Sequence, residues 1–442
     1  MKTIVHARFT PRPLVLAMAL AAGAAQAAPT PNQMPGNGLF AQASLSGAVA
    51  VNGVATPLGS TIINLPNGTR IDVQDKVVLR WGVVGGPADV NPAGFNLGAG
   101  AQLTFGGSGL TTAPGVLIVD VSGNPSQVYG TLVATNVPWA GCPVCNFAPA
   151  IWLANANGIV IGPGAHVVAP KGVGLVGADL DNATSRNEFV GNNGWVAPAA
   201  PAYGTSYVSF GTVTGNVSIA GAINGDLIAN APAPYVFVAG DSLRVLNTGN
   251  LFGGTVYLQA GLTHVPTVAA IDGVAGASAS RSFSLDSMST VGGKNVGPFP
   301  GYLAIVGGAG GDVVNEGSIA AGGPSALVSL LASGSVRSGM AGSSNTLVGL
   351  FSDATIEINS YSDSGKVELY NVVSGYTTNA SLQQLGINVP SYTDGFSPDV
   401  TIQALTPGAQ PSAITTTPSA ATRPAFLSAL ARPDLRIASA AA

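Results

Sequence analysis

The sequence predicts an all-β chain wound as a right-handed parallel β-helix, and three observations carry that prediction. The first is composition: 60 Gly and 31 Pro in 442 residues, with charged residues at 8% against about 25% in an average globular domain, describe a chain of many turns and few helices. The second is a short alternating strand closed by Gly or Asn, as in Thr255-Val256-Tyr257-Leu258-Gln259, Lys366-Val367-Glu368-Leu369-Tyr370 and Val217-Ser218-Ile219. Val256 with Leu258, and Val367 with Leu369, fall on one side of their strands while their neighbours face water. The third is a repeat: Val245-Leu246-Asn247-Thr248-Gly249-Asn250-Leu251, ending in Gly253-Gly254, matches Val313-Val314-Asn315-Glu316-Gly317-Ser318-Ile319, ending in Gly322-Gly323. One N-x-G-x-aliphatic unit per turn is what stacked coils require, because a coil cannot bury its inner face until a neighbour covers it. Coils of about 20–25 residues, each rising ~4.8 Å, would turn about 350 residues into a rod on the order of 70 Å long. A two-sheet sandwich is the competing architecture.

The chain opens with Lys2, Arg8 and Arg12, an apolar stretch over 14–24, and Ala25-Gln26-Ala27 before Ala28. That order is a secretory signal peptide, 1–27. Its apolar part is shorter than the ~20 residues a membrane span needs, so the mature chain is expected to be exported and soluble. Removing 1–27 leaves 13 of the 16 Lys+Arg against 20 Asp+Glu, a formal charge of −7, which argues against nucleic acid as a partner. Two stretches, 181–202 and 275–300, interrupt the strand pattern and read as excursions from the rod. Long amphipathic helices are missing from the pattern, with 424–430 the one helical candidate. From 402 the texture turns to Pro, Ala, Ser and Thr, as in Thr415-Thr416-Thr417-Pro418, and reads as a flexible tail. No run of eight or more alternating ~10-residue strands follows the rod, so a membrane barrel in the same chain is not expected.

The densest run of corner signals lies in 114–179. Two apolar runs, 116–121 and 151–153, lead into asparagine-containing corners, and Gly158 supplies the positive-φ freedom for a tight turn. In order come Gly123-Asn124-Pro125-Ser126-Gln127, Gly130-Thr131-Leu132, Ala154-Asn155-Ala156-Asn157-Gly158-Ile159 and Gly162-Pro163-Gly164-Ala165. Upstream stand Phe95-Asn96-Leu97-Gly98-Ala99-Gly100 and Leu103-Thr104-Phe105. This succession resembles the secretion domain of filamentous haemagglutinin-like exoproteins, the exported members of two-partner secretion systems. In that family an N-P-S-x-x-x-G-x-L segment and an N-P-N-G corner follow one another in this order. Ala156 stands where the family has Pro. The resemblance spans roughly 35–265 and implies a β-helical secretion domain over 28–270, a β-helix continuation over 271–401 and the tail at 402–442. It also implies that Asn124, Pro125, Asn155, Asn157 and Gly158 form a secretion motif, and that the partner is an outer-membrane β-barrel transporter with periplasmic transport domains.

Other chemistry is sparse. Cys142-Pro143-Val144-Cys145 is the one cysteine pair; in an exported chain it reads as a small-loop disulfide pinning an insertion. A redox pair would want a βαβ context, and a zinc site two further ligands, where the mature chain offers His166 and His264 as imidazoles. A β-helical lyase or hydrolase would need clustered carboxylates, and the nearest set is Asp179, Asp181, Arg186 and Glu188. A charged loop leaving a sparsely charged rod is also simply its solvated edge. Gly307-Gly308-Ala309-Gly310-Gly311 has neither the Lys nor the following helix of a phosphate loop. The expectation is a secreted, monomeric, non-enzymatic exoprotein without cofactor or metal, adhesin- or haemagglutinin-like, meeting host or neighbouring-cell surface glycans or proteins. The competing classes are a β-helical carbohydrate-active enzyme and a structural surface-layer or matrix component.

Overall fold

The computed structural model describes residues 27–44, 49–62, 64–82, 94–107, 114–135, 148–191, 213–224, 235–265, 277–284, 302–306, 311–321, 327–339, 347–349, 355–360, 367–369, 372–374, 399–404, 414–416, 427–428 and 437–439. Three long sheets, of 12, 8 and 11 strands, form the faces of a parallel β-helix. One coil shows the path: Gly115–Asp120 lies on the first face, Ser126–Val128 on the second and Thr131–Thr135 on the third. The next coil repeats it with Ala150–Ala154, Ile159–Ile161 and His166–Val168.

Parallel pairing in strict register stacks like on like. On the first face Ile118, Leu153, Leu175, Val238, Leu258 and Leu330 lie side by side in consecutive coils, all within the inner core. Their outward neighbours Leu117, Trp152, Phe237 and Tyr257 are buried too, in a second apolar cluster with Leu180, Phe189 and Val213. The first face is therefore covered on both sides, which is why Gly115–Asp120 and Ala150–Ala154 read as unbroken apolar runs, whereas Thr131–Thr135 alternates buried with half-buried residues. Gly174 makes the outer cluster possible. It lies in register between Trp152 and Phe237, whose rings approach to 5.6 Å across it; a Cβ on Gly174 would meet the Trp152 ring at 2.1 Å.

Coil lengths of 22 residues (Ile151 to Val173) and 20 residues (Tyr235 to Thr255), counted between register partners, agree with the expected repeat. Longer intervals hold excursions. The helix Ala183–Gly191 leaves the rod after Val173–Val176, and Leu262–Val265, Ala277–Ser284 and Tyr302–Val306 form a three-stranded antiparallel sheet after Thr255–Ala260. The N-terminal end is closed by antiparallel pairing: Gly38–Ala43 against Lys76–Trp81, and the hairpin Val49–Val51/Val54–Thr56 against Thr69–Val73. This cover blunts sheet edges that would otherwise pair with other chains. Just before it, the segment 27–37 flanks the second face, with the Gly98 amide donating to the Gln33 carbonyl (2.8 Å) and the Gly36 amide to the Gly94 carbonyl (2.9 Å).

Two expectations are corrected. The repeat does not align as its residues suggest: Val245, not Asn247, is the register partner of Asn315, while Asn250 still pairs Ser318. The corner 246–249 is two residues longer than 316–317 and turns on a bond from the Gly249 amide to the Leu246 carbonyl (2.7 Å), which leaves Asn247 exposed and Asn315 buried. The helical candidate at 424–430 is instead the site of a strand, Leu427–Ser428, parallel to Val400–Thr401. Between Pro424 and Pro433 the segment is too short to nucleate a helix on its own. Within 402–442 the described residues are the end of Asp399–Ala404 and the strands Ile414–Thr416, Leu427–Ser428 and Ile437–Ser439, so parallel pairing runs past the boundary read at 401/402. Residues 1–26 of the leader, and Cys142 with Cys145, lie outside the described residues. Among the described residues no helix is long and apolar enough to cross a membrane.

Candidate functional site at the asparagine corner

The strand Ala150–Ala154 enters the corner between the first and second faces. Asn155 then folds the chain with both ends of its side chain. Its Oδ1 accepts from the Asn157 amide (2.8 Å), and its backbone carbonyl accepts from the Gly158 amide (3.0 Å), an Asx turn nested in a β-turn. Its Nδ2 donates to the Asn124 carbonyl (2.8 Å) and to Ser126 Oγ (2.9 Å) on the preceding coil. Gly158 closes the turn at φ 107°, and a Cβ there would meet the Asn216 carbonyl oxygen of the following coil at 2.7 Å. Backbone bonds continue the stitching on both sides, from Ser126 to the Gly158 carbonyl and from Ile159 to the Asn216 carbonyl.

Below Asn155 the network ends on a buried acid. Ser126 Oγ donates to Asp120 Oδ2 (2.6 Å), which also accepts from the Phe95 amide (2.8 Å), while Asp120 Oδ1 accepts from the Ser122 amide (3.0 Å). Asp120, Ser126 and Asn155 thus link the coils of 95, 126 and 155 through groups that are nearly water-free, where each satisfied bond counts for more than at the surface. Sequence reasoning missed Asp120, because a lone acid at the end of an apolar strand reads as its solvated terminus. The signal available was the Asp-x-Ser spacing over 120–122, which lets the carboxyl turn back onto the backbone.

The five motif residues therefore meet at one place, on adjacent coils, but in two roles. Asn155 and Gly158 are buried, Pro125 is half-buried, and Asn124 and Asn157 are exposed. The buried role is not confined to this corner: Asn315 Nδ2 donates to Ser338 Oγ (2.9 Å) and its Oδ1 accepts from the Gly317 amide (3.1 Å), the same device two residues ahead of a glycine. Ala156 turns its carbonyl to Thr214 Oγ1 (2.9 Å).

No protein-family model matches the chain, and no curated protein does. Among solved structures the chain is similar to the HMW1 secretion domain from Haemophilus influenzae, at 14% identity and a TM-score of 0.41, over 92% of this chain and 98% of that one. A likeness of that size carries no argument about function.

The acidic cluster is a fastening. Asp181 lies between Arg80 Nε (2.7 Å) and Arg186 Nη1 (2.8 Å), Asp179 Oδ1 accepts from the Asp181 amide (2.8 Å), and Asn182 caps the helix Ala183–Gly191 by accepting from the Ser185 amide (2.8 Å). Gln42 Nε2 adds a bond to Asn187 Oδ1 (2.7 Å). These contacts hold the helix over the first face so that Phe189 enters the outer cluster. Among the described residues no group of three or more His, Cys, Asp or Glu is placed to hold a metal.

Proposed function

We propose that the chain is a two-partner-secretion exoprotein of the filamentous haemagglutinin type, exported through the periplasm and across the outer membrane of a Gram-negative bacterium by a separate β-barrel transporter whose periplasmic domains recognise the N-terminal β-helix. On this reading it acts outside the cell as a monomeric, non-enzymatic adhesin. One observation carries the export part: the two motif segments, separate in sequence, converge at one corner, where Asn155 binds the Asn124 carbonyl and leaves Asn124 and Asn157 exposed together. A purely structural corner needs only the buried asparagine, as Asn315 illustrates. The use of Asp181 as a clasp between two arginines supports a role without catalysis, since this acid is already engaged in holding a helix.

The test is export of Asn157→Ala beside thermal stability of the refolded variant. Among the described residues Asn157 donates its side-chain amide only to Asn155 Oδ1, at 3.3 Å, so its loss should cost under about 1 kcal/mol while export falls sharply. Asn247→Ala, at an exposed corner with no assigned recognition, should leave export near normal. Equal export from the two variants would remove Asn157 from the recognition surface.

A further inference from the structure

A second feature of the N-terminal end has no part in the corner. The segment 32–37 and the loop 64–67 line an open, shallow cleft of about 270 Å³. Asn32, Gln33, Asn37, Asn64 and Asn67 line it with amide side chains, and among the described residues no ionisable one lines it. Met34, Pro35 and Leu65 line it too, Met34 and Leu65 being almost wholly buried. Both walls are pinned to the same stretch of chain. Gly98 donates to the Gln33 carbonyl on one side; on the other, Asn67 donates through Nδ2 to the Gly100 carbonyl (2.9 Å) and accepts at Oδ1 from the Gln102 amide (2.8 Å). The cleft is thus set before any ligand arrives, which lowers the ordering cost of binding.

Not every amide in it is occupied by the fold. Gln33 uses Oε1 for the Thr30 amide (3.0 Å) and Asn32 uses Oδ1 for Asn67 Nδ2 (3.4 Å), so among the described residues the Nε2 and Nδ2 donors of these two make no hydrogen bond and can meet a ligand. Asn64 makes no side-chain hydrogen bond among the described residues. A charged ligand would lose its hydration here without meeting a countercharge, and an apolar one would leave the amides unpaired. Hydroxyl groups, which donate and accept at once, match amides. We propose that this cleft is a binding site for one residue of a neutral saccharide.

The experiment uses the mature chain, refolded, with D-glucose, D-galactose and N-acetyl-D-glucosamine as neutral probes and N-acetylneuraminic acid as an anionic one, read by saturation-transfer NMR and titration calorimetry. At least one neutral sugar should bind in the millimolar range, as a shallow single-residue site allows. Asn64→Gly removes the side chain while suiting the left-handed backbone at φ 51°, and should weaken binding by about tenfold for the lost hydrogen bonds. Asn64→Asp, which keeps shape and backbone but removes the donors, should weaken it too, and serves if Asn64→Gly unfolds at a lower temperature. Asn247→Ala should bind as the parent does. No transfer to any neutral sugar at about 10 mM, binding that survives both Asn64 variants, or preference for the anionic sugar would overturn the proposal. Export does not enter this assay, so failure here and failure of the export reading are separate results.

Discussion

The two asparagines of the corner show how a motif can hide two kinds of necessity. Asn155 forms four side-chain hydrogen bonds while almost wholly buried, so Asn155→Ala would remove the donor to Ser126 Oγ and the partners of the Asn124 carbonyl and the Asn157 amide, at a cost of about 1–3 kcal/mol, seen as a lower unfolding temperature. The sequence reading singled out Asn155 and Asn157 as a pair but could not rank them. Their type and spacing are the same whichever one turns inward, and that is decided by the carbonyl at 124 on another coil. Gly174 is the same kind of case. Nothing local asks for glycine, yet Gly174→Ala should destabilise by about 1–3 kcal/mol, as overpacking of a filled core does, because Trp152 and Phe237 already fill the space. Tyr235 adds a pH-dependent element. Its hydroxyl accepts a bond from Trp152 Nε1 (2.8 Å), and burial raises its pKa well above the ordinary tyrosine value. An acid whose folded pKa is raised favours folding below its unfolded pKa, about 10, and loses that contribution as pH rises through it, because only the unfolded chain then ionises. Stability should fall above about pH 10, and Tyr235→Phe should flatten that fall while costing about 1 kcal/mol at neutral pH; alkaline denaturation of both proteins checks it.

Elements were legible where one residue in two is apolar and illegible where the decisive contact is remote. Thr255–Ala260 and Val217–Ile219 occur where their alternation places them, but Tyr257 and Gln259, expected to face water, are buried, Tyr257 in the apolar cluster that covers the outer side of the first face. Asn247 looked equivalent to Asn315 because five residues around them match in type, but the extra two residues of the 246–249 corner shift the register, and corner length cannot be read from strands alone. The helix Ala183–Gly191 escaped because it lacks amphipathic period: only Ser185 and Phe189, four residues apart, are buried, and the rest of its hold comes from Asp181 with Arg80 and Arg186. Asp181→Ala should therefore loosen the helix without unfolding the rod. Partly exposed pairs contribute about 1 kcal/mol or less, so amide exchange over 183–191 should quicken several-fold while exchange in Ala150–Ala154 stays unchanged. Equal acceleration in both would mean that the clasp belongs to the global core.

At the scale of the molecule, three sheets share an inner core that runs through every described coil from Val77 to Val336, and the antiparallel cover gives that core a defined beginning. The whole was legible because composition, strand period and repeat all point to stacked coils; the cover was not, since antiparallel closure uses the same alternating residues as the rod it closes. Small-angle scattering of the mature chain should give the profile of a rod, and circular dichroism the spectrum of β-structure with little helix; a compact sphere or a helical spectrum would contradict the fold. The export claim is tested most directly by producing the chain in a Gram-negative host with and without its proposed outer-membrane transporter, and measuring the amount in the medium. The account predicts release into the medium only when the transporter is present, and retention in the periplasm when it is not. Release without the transporter, or periplasmic retention in its presence, would contradict it.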